Sequence, residues 1–159
     1  PFTFSSLINL EEMYLNGNLI GSIDENTFSG LTNLKKLDLN YNQIKAAEPF
    51  SFAYLTNLNE LNLATNQIET IEKNFFFGLA NLKDLGFGYN KLTEIKEFTF
   101  SYLVNLDRLN LQNNKISSLN KNSFNGLENL KFLYLSNNNL VDIDPSVFSN
   151  LISLIEFYL

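Results

Sequence analysis

Residues 34–57 read LKKLDLNYNQIKAAEPFSFAYLTN, and residues 58–81 read LNELNLATNQIETIEKNFFFGLAN. Aligned end to end, the two segments carry Leu, Asn, Ile and Phe at the same positions. The pattern continues without insertion in both directions, and a new copy begins every 24 residues, at Leu10, Leu34, Leu58, Leu82, Leu106, Leu130 and Leu154. A fixed period of this length is the sequence signature of a repeat solenoid.

The period divides the whole chain. We predict a single solenoid over residues 1–159, made of a partial repeat at 1–9, repeats at 10–33, 34–57, 58–81, 82–105, 106–129 and 130–153, and a partial repeat at 154–159. Both ends fall inside a repeat and leave apolar positions without a neighbour. We therefore expect an excerpt of a longer chain, with flanking repeats or caps outside it, and self-association when it is expressed alone.

The start of each repeat predicts a short strand. Leu alternates there with variable residues, which is the period-2 pattern of a strand with one buried face. One such unit cannot close a core, but stacked copies bury a continuous one beneath a parallel sheet. The rest of each repeat places Asn, Ser, Gly and Glu around a single Phe, which favours turns or one-turn helices over long helices.

Two Asn columns belong to the predicted scaffold. The first lies three residues after the last strand Leu, where buried backbone groups leave the sheet, and an Asn side chain can both donate and accept there. Its members are Asn18, Asn42, Asn66, Asn90, Asn114 and Asn138. An array of ligand-binding Asn side chains is the alternative, which we consider weaker because buried polar groups usually pair within the fold. A second column precedes the strands and is interpreted as a turn former: Asn9, Asn33, Asn57, Asn81, Asn105 and Asn129.

The repeating unit L-x-x-L-x-L-x-x-N-x-[I/L]-x-x-[I/L]-x-x-x-x-F-x-x-L-x-N resembles the leucine-rich repeat in its 24-residue typical subtype. The subtype is found in Toll and Toll-like receptor ectodomains, Slit proteins and related extracellular proteins. The resemblance implies an α/β-type repeat solenoid: a curved right-handed coil with a concave parallel sheet, and a convex side of turns and short helical segments. It also implies a module that binds partners on the concave face, without catalysis or cofactor. One departure is that Pro49 and Pro145 stand one place later than the Pro of the family pattern.

Composition narrows the chemistry. The 159 residues hold 29 Leu and 26 Asn but neither His nor Cys, which removes the commonest general base and thiolate metal ligands. We therefore expect neither a catalytic nor a metal site. A net charge of −6 disfavours nucleic acid as a partner. No apolar run reaches the length of a membrane helix, so we expect no membrane insertion within this segment. An enzyme would depend on carboxylates such as Asp142 with Asp144, which are better interpreted as solvated charges.

Exposed strand positions give the first candidate binding surface. Residues between the strand Leu positions face outward from the concave sheet. Phe132, Tyr134 and Tyr158 then lie on adjacent strands, with Arg108 one strand away, and aromatic clusters with Arg anchor many interfaces. The alternative is that Phe132 and Tyr158 pack under a missing C-terminal cap. Tyr41 and Tyr89, at the sheet edge, form a second and weaker candidate.

A 48-residue period runs beneath the first on the convex side. Repeats carrying aromatic pairs alternate with repeats carrying Gly30, Gly78 or Gly126. The aromatic repeats place Phe2, Phe50 and Phe98 in one column and Tyr54 and Tyr102 in another. We predict a convex ridge of Phe50, Tyr54, Phe98 and Tyr102; the alternative is that these rings fill space in the convex layer, since aromatic residues more often belong to the core. Burial above about 80% would exclude the ridge.

The sequence thus favours a non-catalytic protein-binding module, part of an extracellular receptor or adhesion ectodomain at the cell surface. The alternative is an intracellular, cytoplasmic leucine-rich repeat scaffold for protein–protein interaction. The absence of any Asn-x-Ser/Thr sequon among the 26 Asn residues mildly favours that alternative.

Overall fold

The computed structural model describes residues 4–159. Its elements in chain order are β1 (Glu12–Tyr14), β2 (Ser22–Ile23), β3 (Lys36–Asp38), β4 (Ala46–Ala47), β5 (Glu60–Asn62), β6 (Asp84–Gly86), β7 (Glu94–Ile95), β8 (Arg108–Asn110), β9 (Ser118–Leu119), β10 (Phe132–Tyr134), a 3₁₀ helix (Pro145–Phe148) and β11 (Glu156–Tyr158). Seven of the strands form one parallel sheet in the order β1-β3-β5-β6-β8-β10-β11. The predicted repeat solenoid with a parallel sheet is therefore confirmed.

The strands pair in strict register. Residues at the same position of successive repeats face each other, so that Leu37 lies beside Leu61 and Leu85 beside Leu109. In this sheet the middle residue of every strand except β11 turns into the core, and Leu37, Leu85 and Leu109 are fully buried. Burial of one such side chain contributes about 1.5–3 kcal/mol. The repeated Leu positions thus form one continuous core along the solenoid.

A column of Phe rings lines the opposite wall of the core. Neighbouring rings lie 5.9 Å apart at Phe28 and Phe52, and 6.2 Å apart at Phe100 and Phe124. Between Phe52 and Phe76 the column is bridged by Phe75, whose ring lies 5.5 Å from Phe52 and 4.8 Å from Phe76. Phe75 stands in a column that otherwise holds Thr, Ser or Val, and its ring is buried in the core.

The convex side consists mainly of turns, as the sequence predicts. Among residues 4–159 the only helical segment is the 3₁₀ helix Pro145–Phe148; turns and the strand pairs β2–β4 and β7–β9 form the rest. Asp144 caps that helix by accepting a hydrogen bond from the Ser146 N–H at 2.9 Å, and this bond lowers the pKa of Asp144. Pro145 begins the helix because its fixed φ suits a first helical position.

The first Asn column joins each coil to its neighbours through buried hydrogen bonds. Asn66 Nδ2 donates to the Leu39 carbonyl at 3.0 Å and to the Leu63 carbonyl at 3.1 Å, while its Oδ1 accepts from the Ile44 N–H at 2.9 Å. One side chain therefore satisfies backbone groups of two coils. The same pattern recurs at Asn42, Asn90, Asn114 and Asn138.

The second Asn column also joins coils. Asn57 Nδ2 donates to the carbonyl of Thr32, and Asn81 Nδ2 to that of Thr56, each at 2.8 Å. The sequence-based interpretation of this column as a turn former does not predict these hydrogen bonds between coils. The remaining bonds of the column come from Asn33, Asn105 and Asn129.

Close approach of two coils explains the glycines of the 48-residue period. Gly78 has a φ of +92°, and a Cβ added there would lie 2.7 Å from the Ala53 carbonyl oxygen. Gly30 and Gly126 make the same approach to Ser5 and Ser101. Only a residue without a side chain permits this spacing on the convex side.

Apolar side chains are exposed near both limits of the described range. Leu7 is exposed at one end, and Phe157 and Leu159 at the other. The Phe157 ring still packs 5.0 Å from the Phe148 ring.

We predict that Asn66→Ala lowers the free energy of unfolding by about 1–3 kcal/mol, because the buried Ile44 N–H loses its partner, whereas the Leu39 and Leu63 carbonyls keep bonds from Asn42 and Asn90. Urea denaturation followed by circular dichroism measures this value. Asn18→Ala is the matched control, since Asn18 is exposed and donates only to Leu15 and Asn16 of its own coil. Equal losses in the two variants would contradict the inter-coil role of the column.

We predict that Gly78→Ala destabilises the chain by at least about 1 kcal/mol, the cost of a left-handed backbone for an L residue, with the contact to Ala53 adding to it. Thermal unfolding of Gly21→Ala gives the comparison, because a Cβ at Gly21 meets nothing within 4 Å. The close-approach account fails if both variants unfold at the wild-type temperature.

Candidate functional site

The aromatic cluster Phe132, Tyr134 and Tyr158 lies on the exposed face of the concave sheet, as β10 and β11 position it. The rings of Tyr134 and Tyr158 stack with centroids 5.2 Å apart and planes inclined by 17°. Tyr158 is 51% exposed, and Phe132 and Tyr134 are half-buried. The in-register pairing of the two strands fixes this stack.

Arg108 connects the cluster to the central strands. Its guanidinium carbon lies 4.9 Å from the centre of the Phe132 ring, and its Nη1 donates to Asp84 Oδ2 at 2.8 Å. The hydrogen bond to Asp84 raises the pKa of Arg108 further above its already high ordinary value. The ion pair on one side and the ring on the other hold the guanidinium in one orientation.

A shallow hollow of about 490 Å³ lies on the central strands. Gly86 and Gly88 leave its floor without side chains, and Arg108 forms part of its wall, so the hollow is continuous with the aromatic cluster. Tyr41 and Tyr89 stand at its edge, where the chain leaves β3 and β6. The structure therefore brings both concave candidates to one surface.

Tyr41 and Tyr89 occupy a strained backbone conformation. Their φ angles are +51° and +57°, in the left-handed region that large residues rarely adopt. The same column holds Gly17, Asn113 and Asn137, which are the residue types suited to that region, and Thr65, which also has a positive φ although its side chain is β-branched. Backbone strain of this kind concentrates at binding sites.

The convex aromatic residues reach the surface. Phe50 is 40% exposed, Tyr54 42% and Phe98 51%, whereas Tyr102 is half-buried and donates its hydroxyl to Asn74 Oδ1 at 2.8 Å. These rings are not core residues, and the ridge stays a prediction. Phe2 lies outside the described residues.

Sequence reasoning missed two kinds of residue. Phe77 does not follow the 48-residue period, yet its ring meets Phe50 at 5.2 Å and Tyr102 at 5.3 Å, edge to face. Ser51 and Ser123 are fully buried and donate to the Ile23 and Ile95 carbonyls of the preceding coil. The two serines stand directly before the Phe column, where other repeats hold Thr, Phe or Val. Their small size at this position was the signal that could have indicated burial.

The family follows from comparison of the sequence with family models. The model described as "Leucine rich repeat" matches residues 1–44, 32–92 and 81–140. The chain belongs to the leucine-rich repeat family. Leucine-rich repeat domains are protein-interaction modules, and this chain has their architecture.

Solved structures add a receptor-like neighbour. The chain matches one from the crystal structure of a TLR13–ssRNA13 complex, a Toll-like receptor, with a TM-score of 0.74 and 32% sequence identity. The match covers 95% of this chain and 25% of that one. Because 359 solved chains match this leucine-rich repeat fold, the likeness identifies an architecture rather than an individual protein. No curated protein matches the sequence.

Further observations bear on partners and chemistry. The neighbouring receptor is complexed with single-stranded RNA, so it lends no support to the expectation that nucleic acid is not a partner. No helix within residues 4–159 is long and apolar enough to cross a membrane. The same residues contain no group of three acidic side chains arranged to hold a metal ion.

We predict that Tyr89→Asn raises the free energy of unfolding by about 0.5–1 kcal/mol, because Asn tolerates the left-handed backbone that strains Tyr. Chemical denaturation measures the change. Tyr54→Asn serves as the control, since Tyr54 is also an exposed tyrosine but is not among the residues with positive φ. A loss of stability as large as that of the control would show that the Tyr89 backbone carries no strain.

Proposed function

We propose that this leucine-rich repeat chain is a non-catalytic part of a receptor-like ectodomain that binds a protein partner on its concave face. The observation that supports it most is the aromatic cluster Phe132, Tyr134 and Tyr158 beside the fixed Arg108. Tyr, Phe and Arg are enriched at the centres of protein interfaces. The likeness to a Toll-like receptor supports the ectodomain assignment over an intracellular scaffold.

Charge on the concave face supports a protein rather than a polyanion. Lys36 Nζ lies 2.7 Å from Glu60 Oε2, and Arg108 pairs with Asp84 at 2.8 Å. Lys36 and Arg108 occupy the first position of their strands on the concave face, and each is neutralised by an acidic residue at the same position of a neighbouring strand. The chain as a whole carries a charge of −6. Phosphate backbones need unpaired basic side chains, whereas a mixed surface of rings, amides and ion pairs suits a folded protein.

The hollow bordered by Tyr41 and Tyr89 extends the proposed surface. Its lining includes Asn62, Asn110 and Gln112, whose amide groups both donate and accept hydrogen bonds. We propose that a projecting part of the partner enters the hollow while its apolar surface covers the aromatic cluster. The Asn columns that join the coils hold this surface rigid and do not contact the partner.

A site-specific cross-linker tests the proposal. The photoreactive residue p-benzoylphenylalanine replaces Phe132 in one sample and Val141, which is 85% exposed elsewhere, in the control. We expect a discrete protein cross-link at position 132 on intact cells of the source organism and none at position 141. Tyr134→Ala with Tyr158→Ala should reduce its yield by at least about tenfold, which corresponds to roughly 1.4 kcal/mol of binding free energy.

Three results would contradict parts of this proposal. Equal cross-linking at both positions, or no effect of the Tyr substitutions, would reject the concave aromatic surface. A specific cross-link found only with cytosolic extract would select the intracellular scaffold. Saturable binding of a labelled single-stranded RNA that the same substitutions abolish would replace the protein partner with RNA.

A further inference from the structure

Four charged side chains form a self-complementary pattern on the convex face. Glu72 and Lys73 lie on one coil, and Lys96 and Glu97 occupy the same columns on the next coil. All four are exposed, and the order of the signs reverses from one coil to the next. Lys96 Nζ lies 3.4 Å from Glu72 Oε1, whereas Lys73 and Glu97 form no salt bridge with any residue in the range 4–159.

Exposed aromatic rings adjoin these charges. A groove of about 300 Å³, lined by Ile71, Asn74, Phe98 and Tyr102, runs between the two coils. Phe98 is 51% exposed at its side, with a left-handed φ of +60°. The edge-to-face run Phe50–Phe77–Tyr102 continues the apolar surface across a third coil. Exposed rings gathered in this way mark interaction surfaces rather than ordinary solvent-facing positions.

We propose that this convex patch, made of Phe50, Glu72, Lys73, Phe77, Lys96, Glu97, Phe98 and Tyr102, docks on the same patch of a second copy of the chain. A two-fold axis passing between the two coils places Lys73 opposite Glu97 of the second copy, and Glu72 opposite Lys96 of the second copy. Every charge then faces the opposite sign, and each contact occurs twice, as an isologous interface requires.

The sign pattern favours a copy over other partners. An acidic or a basic peptide would meet one like charge for each opposite charge in the patch, which disfavours it. The coils on either side also permit the arrangement. Glu48 then faces Asn120 of the second copy and Pro49 faces Lys121 of the second copy, so no like charges meet. Two convex surfaces diverge away from the axis, so the contact area is small and the dissociation constant is on the order of 100 µM.

Charge reversal tests the proposal in the whole chain by sedimentation equilibrium, from well below to well above that constant. Glu97→Lys and Lys73→Glu each place like charges at both symmetric contacts, and each should weaken dimerisation by at least about tenfold. The double variant restores opposite charges and should dimerise like the wild type. An equimolar mixture of the two single variants should form heterodimers, since both contacts then join opposite charges.

Control variants separate this interface from other association. Phe98→Ser should weaken the dimer, and Tyr134→Ala on the concave face should not; circular dichroism and melting temperatures check that every variant folds. A wild-type chain that stays monomeric over the whole range overturns the proposal. So does association that the single charge reversals leave unchanged, as stacking through the exposed Phe157 and Leu159 would be, or a mixture that fails to recover dimers.

Discussion

Hydrogen bonding of backbone groups at the strand exits is the constraint on which the whole structure depends. The chain leaves the sheet there while still buried, so its N–H and C=O groups are out of reach of water. Asn66 satisfies Ile44 of one coil with its oxygen and Leu39 and Leu63 with its nitrogen. An ionised Asp accepts only, and a Leu does neither. The requirement recurs at every coil, which explains much of the Asn content.

The register of the sheet follows from these bonds, and the concave surface follows from the register. Bonds at fixed positions in neighbouring coils prevent a strand from sliding, so equivalent residues of successive repeats stand side by side. Lys36 therefore meets Glu60, and Tyr134 meets Tyr158, without any contact designed for that pair alone. A binding surface on such a scaffold is composed by the choice of residue at each exposed strand position, with the backbone unchanged.

The features that could be predicted from the sequence are those that recur in every repeat. Inward and outward positions, the parallel sheet and the Asn columns all repeat every 24 residues, so each is supported by several copies. The period cannot predict contacts between residues that occupy different positions of neighbouring repeats. Phe77 touches Phe50 on the coil before and Tyr102 on the coil after, at unrelated positions of the repeat. The backbone of Tyr41 likewise gave no signal, because its column includes Gly17, Thr65 and Asn113 and so suggests no common conformation.

Strained backbone conformations occur on both the concave and the convex face. Large aromatic residues take left-handed φ angles at Tyr41 and Tyr89 on the concave edge and at Phe50 and Phe98 on the convex side, 48 residues apart in each pair. Each costs about 1–2 kcal/mol relative to an ordinary backbone. Neighbouring coils hold the strain in place: the Phe50 N–H donates to the Asn74 carbonyl at 3.3 Å, and the Phe98 N–H to the Asn122 carbonyl at 3.1 Å.

Glycine in the alternate repeats completes this arrangement on the convex side. The close approach of Gly78 to Ala53 draws adjacent coils together. The coils on either side then carry the large rings at their surface, because the core positions between them are already filled by Phe52, Phe76 and Phe100. The strained positions thus lower the stability of the fold, and at the same positions the chain exposes large aromatic rings. A column of Gly or Asn would form the same coil with less strain, so stability alone does not account for the rings at these positions.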